Sequence, residues 1–494
     1  MTRPVRPPGA AASGREIDGS RPRVLLLSHH FPPGHGTGGA RWEKFTPALV
    51  DRGWGLDVIT LDPSQVDDPA WSRLEDLPED VRVFGAQQPR VWPERLEGGV
   101  GAVHRALKRA VRTISVGDTP GRDTGRAGGT ELPGIRGVAL AELPATWSSP
   151  RAWLRAYWSW MIFARQRAWA QQALRQAREI VSPGRHRLMV SSGPPHPTHA
   201  AGRVLAQSTG LPLVLDFRDA WKVTEVLPEH LASPVWMRLA GEEEPACVDA
   251  AALVVANTEA LRSRLAAEYP EAADRTTTVL NGWAPPVGAD VDPPGRFVVA
   301  YAGAFYFDRD PRVLMRAVGA LARSRGLGPE ELSLEFMGDM KTFEAGLRAM
   351  AGEEGVGEHL RLHPRSPRDE ARCFLARASV LVSLPQSQTL AIPSKIFDYM
   401  TLPAWIIAQT RPGSATEDLL GETKADVLAP EDCRGLARAL TRRYDEYVHR
   451  GRPEPMARDH PELRADAVVK PLLDALEQWR VERAGRPPGA RAEA

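Results

Sequence analysis

The stretch Asn281–Ala302 reads NGWAPPVGADVDPPGRFVVAYA and decides how the chain is organised. Its middle part contains four prolines and two glycines without hydrophobic periodicity, which is typical of a linker between domains. Its last six residues, Phe297–Ala302, form an apolar run of the kind found in buried strands. Because short apolar runs alternate with helix-like segments on both sides of this stretch, we predict two α/β domains with parallel sheets.

The predicted elements set the bounds of each domain. In the N-terminal half the predicted strands are Arg23–Leu27, Leu56–Leu61, Val81–Phe84, Leu188–Ser191, Leu213–Asp216, Leu253–Ala256 and Thr277–Leu280. In the C-terminal half they are Phe297–Ala302, Leu332–Met337, Leu360–His363, Val380–Leu384 and Ala404–Ala408. The predicted helices include Trp42–Arg52, His199–Ser208, Pro311–Ser324, Lys341–Ala351, Pro367–Ala376 and Ser394–Thr401.

We therefore place an N-terminal domain at 22–283, a linker at 284–296, a C-terminal domain at 297–465 and a closing helix at 466–480. Segments rich in Arg, Ala, Gly and Pro predict disordered tails at 1–21 and 481–494. A further segment rich in Gly, Arg and Pro predicts a long loop insertion at about 87–149 within the N-terminal domain.

Composition and charge narrow the class of protein. Among 494 residues, 63 Lys and Arg accompany 62 Asp and Glu, and the formal net charge of +1 argues against a protein built to bind nucleic acid. Cys247, Cys373 and Cys433 show neither a disulfide framework nor a zinc spacing, as expected in a reducing cytosol. No apolar run approaches the ~18 residues that span a bilayer. We expect a cytoplasmic protein that is not integral to a membrane.

The segment 151–174 interleaves aromatic residues with arginines. Trp153, Tyr157, Trp160 and Ala164 share one face of a predicted helix. A core helix, or one that lines a hydrophobic acceptor pocket, has this pattern, and so does a helix lying on a membrane surface. We favour the core or pocket interpretation and keep peripheral contact with the inner face of the membrane as the alternative.

The segment 34–39, GHGTGG, lies between the first predicted strand and the first helix. Its glycines, among them Gly38 and Gly39, let the backbone approach a phosphate, and the following helix start offers N–H groups. With Asp62 at the end of the next strand, the segment matches a dinucleotide-binding fingerprint, which keeps an NAD(P)-dependent oxidoreductase as an alternative. Six residues separate it from its strand, however, and a flexible βα loop also fits.

A second polar segment, SSGPPHPTH at 191–199, directly follows a predicted strand, where α/β folds place their ligands. Either of its histidines, His196 or His199, can bind a substrate hydroxyl or can instead cap and pack the following helix. Both interpretations stay open at this point.

The third segment is DFRDAW at 216–221, again at the carboxyl end of a predicted strand. Asp216, Arg218, Asp219 and Trp221 together can position the hydroxyls of a sugar. An Asp–Arg pair that only fixes the loop explains the same residues, and both functions are compatible. We assign Asp216, Arg218 and Trp221, together with His196, to the acceptor side.

The most informative segment is AIPSKIFDYM at 391–400. Pro393 and Ser394 favour the start of a helix, so the N–H groups of 394–396 are expected to point into a cleft. A helix start is a ready anion site, and Lys395 reinforces it for a diphosphate. Asp398, one turn along, can accept hydrogen bonds from a ribose diol.

These segments together resemble the family-4 type of GT-B glycosyltransferases, especially bacterial polysaccharide enzymes with a motif similar to residues 392–399. The resemblance covers roughly Arg23 to Asp474 without the insertion. Other matching stretches are Gly38-Gly39 with 48–60, 192–199, 216–221, 257–259, 281–282, 301–303, 308–311 and 337–339. The resemblance implies two Rossmann-like domains that face each other across a cleft.

The reaction that the resemblance implies is transfer of a sugar, with retention, from a nucleoside diphosphate such as UDP or GDP. The acceptor is a glycan, a lipid-linked molecule or a natural product. Neither a cofactor nor an obligatory metal is implied, and no Asp-x-Asp-like pair stands in a suitable loop. Fixed donors would stabilise the leaving diphosphate as its charge develops.

The resemblance places the donor site mainly in the C-terminal domain. The implied donor-binding residues are Gly38, Gly39, Gly303, Gly338, Asp339, Arg365, Ser394, Lys395, Ile396 and Asp398. Our candidate catalytic residues are His199, Asp219, Arg309 and Lys395. Asp398 matches the second acid of the family's paired-glutamate motif, whereas Leu390 stands in place of the first. This replacement keeps a non-catalytic sugar-nucleotide-binding protein as a further alternative.

Overall fold

The computed structural model of the chain describes residues 4–7, 21–34, 37–91, 137–139, 150–182, 184–228, 231–285, 291–303, 305, 309–339 and 343–484. Most of the predicted tails, most of the predicted insertion at 87–149 and the middle of the predicted linker lie outside the described residues.

The N-terminal half, here called the N-lobe, contains one parallel sheet of seven strands. Its elements are β1 (Arg23–Ser28), α1 (Ala40–Asp51), β2 (Gly55–Leu61), α2 (Ser72–Glu75), β3 (Val81–Ala86), β4 (Gly137–Ala139), α3 (Pro150–Ile180), β5 (His186–Gly193), α4 (Pro197–Thr209), β6 (Leu213–Phe217), β7 (Val226–Pro228), α5 (Pro234–Ala250), β8 (Leu253–Ala256), α6 (Glu259–Glu268) and β9 (Thr276–Thr278). The strand order is β3-β2-β1-β5-β6-β8-β9. Alternate residues of β1 enter separate cores on the two faces, Leu25 and Leu27 in one and Val24 and Leu26 in the other.

The C-terminal half, the C-lobe, repeats this architecture with a parallel sheet of six strands in the order β12-β11-β10-β13-β14-β15. Its elements are β10 (Phe297–Ala302), α7 (Arg312–Arg325), β11 (Leu332–Gly338), α8 (Glu344–Glu353), β12 (Leu360–Pro364), α9 (Arg368–Ala376), β13 (Val380–Ser383), α10 (Lys395–Tyr399), β14 (Trp405–Gln409), α11 (Ala415–Leu420), β15 (Asp426–Leu428) and α12 (Cys433–Arg450). The predicted fold of two Rossmann-like domains is therefore confirmed.

Strand order reverses once in each sheet, between β1 and β5 and between β10 and β13. Open parallel sheets bind their ligands in the crevice at the carboxyl ends of the strands, where the order reverses. The loops that the sequence singled out follow strands beside these two points, at the carboxyl edges of the sheets.

The last two described helices, α13 (Ala465–Val468) and α14 (Lys470–Ala484), return to the N-lobe. Val469, Leu472 and Leu476 are buried in the same core as β1 and α1. The final helix thus joins the two lobes and runs four residues beyond the predicted bound at 480, into the segment predicted as a disordered tail.

Two further segments differ from the sequence predictions. β4 lies inside the predicted loop insertion and pairs with β7 in an antiparallel ribbon. On α3 the predicted aromatic face is not a core face, because Trp153 is 62% exposed and Trp160 is 43% exposed. The core side of this helix carries Phe163, Trp169 and Ala173 instead. Among the described residues, no helix is both long and apolar enough to cross a bilayer.

Candidate functional site

Two cations converge on the end of β10 in the C-lobe. Lys395, the first residue of α10, donates from Nζ to the carbonyl oxygen of Ala302 at 2.8 Å and lies 4.2 Å from the ring centre of Tyr301. Arg309, whose side chain is buried, places Nη1 at 3.4 Å from the hydroxyl oxygen of Tyr301. The structure thus brings together two candidate catalytic residues that are 86 positions apart in the sequence.

Gly303 explains why Lys395 reaches this point. Its φ of +146° is rarely adopted by residues with a side chain, and a β-carbon there would lie 2.7 Å from Nζ of Lys395. Its N–H donates to the carbonyl oxygen of Met337 at 2.8 Å and holds the turn against β11. Gly303 therefore leaves the room that the lysine occupies.

Lys395 is enclosed by the protein beside a second cation. Burial, and then the neighbouring Arg309, lower the pKa of Lys395 well below its ordinary value. No carboxylate among the described residues forms a salt bridge with Lys395. Two confined cations that repel each other gain stability from a bound anion, so the group has the properties of a phosphate site.

A glutamine connects the two loops that flank this crevice. The side-chain oxygen of Gln386, after β13, accepts from the N–H of Asp310 at 2.7 Å, and its amide nitrogen donates to the carbonyl oxygen of Asp310 at 3.1 Å. Gln386 is buried and fixes the residue next to Arg309. Sequence reasoning missed it, since a lone glutamine in a polar turn carries no recognisable pattern.

The predicted anion site at the start of α10 is only partly supported. The N–H of Ile396 donates to the carbonyl oxygen of Pro393 at 2.9 Å, and the Ile396 side chain is fully buried in the core. Ile396 therefore has neither a free N–H nor a side chain for a ligand, contrary to the prediction. Ser394 already has helical dihedral angles and makes no side-chain cap. The Lys395 side chain contributes more to the site than the helix start does.

The remaining predicted donor residues lie further along the same edge. Gly338 ends β11 and pairs in register with Pro364 at the end of β12. Asp339 and Arg365 follow these two partners and are exposed. They therefore occupy adjacent strand ends, where they can form a wall of the crevice.

In the N-lobe, Asp216 is surrounded by donors and is fully buried. Its carboxylate forms an ion pair with Arg41 at 3.0 Å, accepts from the indole nitrogen of Trp42 at 2.8 Å and accepts from the hydroxyl of Ser192 at 2.7 Å. Burial raises the pKa of Asp216, but these partners outweigh it and lower the pKa below its ordinary value. Asp216 is thus a structural anchor between β6 and α1, and it does not contact the crevice.

The two predicted histidines also pack inside the N-lobe. His199 is fully buried, and its Nδ1 lies 2.9 Å from the hydroxyl oxygen of Ser191. His196 stacks on the buried ring of Trp221, with centroids 4.9 Å apart. Burial lowers the pKa of His199 to about 3, so the ring is neutral at physiological pH. The structure places these three residues in the core, and His196 makes no side-chain cap to the helix. This favours the packing interpretation over contact with substrate.

Arg218 and Asp219 occupy the mouth of the N-lobe crevice. A β-carbon on Gly38 would lie 1.7 Å from Nη1 of Arg218, so the glycine loop closes over this guanidinium. Gly39 is similarly tight against the backbone of Phe31, with 3.0 Å from a β-carbon to the Phe31 Cα. Asp219 is exposed to solvent.

Among the described residues, side-chain contacts connect the lobes at two ends of the gap. Glu43 and Lys44, adjacent on α1, pair respectively with Arg368 at 3.0 Å and with Asp398 at 2.8 Å. At the other end, Thr258 donates to the carbonyl oxygen of Leu390 at 2.5 Å, and Thr389 donates to Glu225. The Leu390 side chain packs against the N-lobe core. Sequence reasoning missed Glu43 and Lys44, since their partners lie more than 300 residues away.

Solved structures of similar architecture define the fold class as GT-B. Sucrose-phosphate synthase from Thermosynechococcus elongatus matches with a TM-score of 0.58 and 14% identity, over 94% of this chain and 100% of that chain. Anabaena HepE, crystallised with UDP and glucose, matches with a TM-score of 0.54 and 13% identity, over 92% and 99%. Trehalose 6-phosphate synthase from Burkholderia multivorans matches with a TM-score of 0.53 and 12% identity, over 94% and 100%. The chain thus has the GT-B fold.

At the level of sequence, no family model matches the chain. A D-inositol 3-phosphate glycosyltransferase of Catenulispora acidiphila is 28% identical over 210 residues. The match covers 39% of this chain and 49% of the relative, so the chain spans about half the length of this curated relative.

Proposed function

We propose that the chain is a glycosyltransferase that uses a nucleoside-diphosphate sugar. The observation that supports this proposal is the convergence of Lys395 and Arg309 on Tyr301, next to Gly303 and where the strand order of the C-lobe reverses. A solved relative in fold contains UDP and glucose, and a partial sequence relative is named as a glycosyltransferase, which agrees with this proposal. UDP or GDP is the proposed carrier.

The proposed chemistry follows from the charges. The bond between the anomeric carbon and the diphosphate oxygen breaks, and a bond from that carbon to an acceptor hydroxyl oxygen forms with retention. Negative charge accumulates on the leaving diphosphate, where Lys395 and Arg309 stabilise it in place. The acceptor proton passes to an oxygen of the leaving phosphate. Neither a cofactor nor an obligatory metal is part of the proposal.

The acceptor is proposed to be a glycan, a lipid-linked molecule or a natural product bound on the N-lobe side. Asp219 is the N-lobe carboxylate best placed to accept a hydrogen bond from it, because it is exposed while Asp216 is enclosed. The alternative dinucleotide site loses support, since Arg218 lies against the Gly38 backbone where a pyrophosphate would have to approach.

A thermal-shift screen of UDP, GDP, ADP, TDP and NAD(H) tests the donor site. We expect a nucleoside diphosphate to stabilise the wild type and Lys395→Ala to remove most of that shift. Lys424→Ala, which removes an exposed lysine paired with Asp459, is the matched control and should keep the full shift. Stabilisation by NAD(H) alone would favour the oxidoreductase, and nucleotide binding without transfer or donor hydrolysis would favour the non-catalytic protein.

Peripheral membrane contact through α3 is also proposed. The helix contains six arginines and one glutamate, and it exposes Trp153 and Trp160 on one side. Indole rings and arginines are the side chains that suit the boundary of an anionic bilayer.

Cosedimentation with vesicles of phosphatidylglycerol or phosphatidylcholine tests this contact. We expect binding to the anionic vesicles, and we expect Trp153→Ser with Trp160→Ser to weaken it. Val448→Ser, at another exposed apolar position on α12, should leave binding unchanged. Equal binding by the double variant would remove α3 from the proposal.

A further inference from the structure

Lys44 is a buried cation of the N-lobe whose ion-pair partner belongs to the C-lobe. It lies in the first half of α1, and only 8% of its side chain is exposed. Its Nζ is 2.8 Å from Oδ1 of Asp398 and donates at 3.2 Å to the carbonyl oxygen of Gly282. A nearly buried ammonium loses its hydration, so these two acceptors fix it in place.

Asp398 is left accessible by this contact. Its side chain is 49% exposed, although Lys44 holds Oδ1. An ionised carboxylate offers about four acceptor positions on two oxygens, so one ammonium leaves capacity for ligand hydroxyls. Lys44 therefore orients the Asp398 carboxylate and leaves acceptor positions on it available to a ligand.

We infer that Lys44 is a positioning residue of the nucleotide site, which is thus completed by the N-lobe. It holds Asp398 in the orientation in which the free oxygen accepts from the ribose hydroxyls of the donor. Lys44 and Asp398 belong to different lobes. Binding of the ribose therefore favours the approach of the two lobes, and their approach favours binding of the ribose. This inference rests on the proposed function, since it requires a nucleotide at the C-lobe site.

The neighbouring ion pair provides a matched comparison. Glu43, next in sequence to Lys44, pairs across the same gap with Arg368 at 3.0 Å. Glu43 also forms an ion pair with Arg73 of its own lobe at 2.6 Å, which does not depend on Arg368. Removing Arg368 therefore deletes one contact between the lobes and leaves Asp398 and Lys44 unchanged.

Titration calorimetry with two ligands tests the inference. UDP or GDP, whichever binds the wild type, is compared with its 2′,3′-dideoxy form, which lacks both ribose hydroxyls. We expect Lys44→Met to raise the Kd of the complete nucleotide about five- to tenfold and to leave the Kd of the dideoxy form unchanged. Lys44→Arg should restore most of the affinity, and Arg368→Gln should leave both constants unchanged. When Asp398→Asn is already present, adding Lys44→Met should not change the Kd of either ligand further.

Other outcomes overturn the inference. An equal loss for both ligands in Lys44→Met, or the same loss in Arg368→Gln, would show that Lys44 only joins the lobes. If none of UDP, GDP, ADP and TDP binds the wild type, the nucleotide site itself is refuted. That result is separate from a changed preference for the ribose hydroxyls.

Discussion

The two lobes share one architecture but differ in how their buried charged residues are paired. In the N-lobe, Asp216 has three donors around one carboxylate and is fully buried. In the C-lobe, Lys395 and Arg309 approach the same turn, and Lys395 lacks a carboxylate partner among the described residues. A buried carboxylate that is paired within the protein stabilises the fold. Two neighbouring cations instead favour the binding of an anionic ligand, which reduces the repulsion between them.

The difference shows how to separate structure from function among polar residues at strand ends. Both groups lie at the carboxyl ends of parallel strands, so position alone does not distinguish them. The presence or absence of a carboxylate partner beside a buried charge does. By that criterion Lys395 is the stronger candidate for binding an anion, and the N-lobe offers mainly the exposed Asp219.

The largest expected effect concerns Asp216. Asp216→Ala leaves Arg41 buried without its counter-ion, and we expect a loss of about 3–5 kcal/mol in the free energy of unfolding. Chemical denaturation measures this loss. Asp219→Asn, which changes the exposed carboxylate three residues on, is the control and should not destabilise the protein. If the Asp216→Ala variant kept its stability and lost only glycosyl transfer, Asp216 would be a functional residue and the proposed difference between the lobes would be wrong.

Arg309→Met tests the opposite property in the C-lobe. Loss of one charged donor should weaken binding of UDP or GDP by about 1.5–3 kcal/mol, which is roughly 10- to 150-fold in Kd. Titration calorimetry gives the affinity, and Arg316→Met, on an exposed side chain of α7, is the control. Unchanged affinity would exclude Arg309 from the donor site.

Much of the fold was predictable from the sequence because short-range patterns specify it. The strands of both lobes coincide with apolar runs, and the order of turns and helices predicted two parallel sheets. The convergence of Lys395 with Arg309 was predictable only through the resemblance, which supplied their common ligand. β15, a strand of three half-buried residues, carries too weak a pattern to be predicted.

The remaining features depend on long-range contacts. Arg41, which neutralises Asp216 from 175 residues away, has no local signature, so the acceptor-side interpretation of Asp216 stayed open. For α3, periodicity identified the face that Trp153 and Trp160 share but not whether that face is buried. Burial depends on what packs against a helix, and its own sequence does not contain that information.

Gly303→Ala tests whether room beside Lys395 is what the crevice requires. A residue with a side chain is strained at φ +146°, and the β-carbon meets Nζ of Lys395. We expect a loss of about 1–3 kcal/mol in stability and weaker binding of UDP or GDP. Gly326→Ala, at a helix end with φ +65° and open space around it, is a control for backbone strain alone. If both variants lost stability but kept nucleotide affinity, Lys395 would not need this space.

The smallest expected effect concerns His199, and it tests whether this residue packs in the N-lobe core as a neutral ring. Burial lowers its folded-state pKa to about 3, whereas an unfolded histidine titrates near 6.5. A histidine that is neutral in the fold stabilises above the unfolded pKa, and this contribution is lost as pH falls towards the folded pKa. His199→Asn should therefore unfold more easily at pH 7 through lost packing, yet the gap to wild type should narrow by about 1 kcal/mol at pH 5.5. Chemical denaturation at both pH values measures the gap. A constant gap would mean that His199 titrates normally and is open to solvent, which would return it to the list of residues that can act on a substrate.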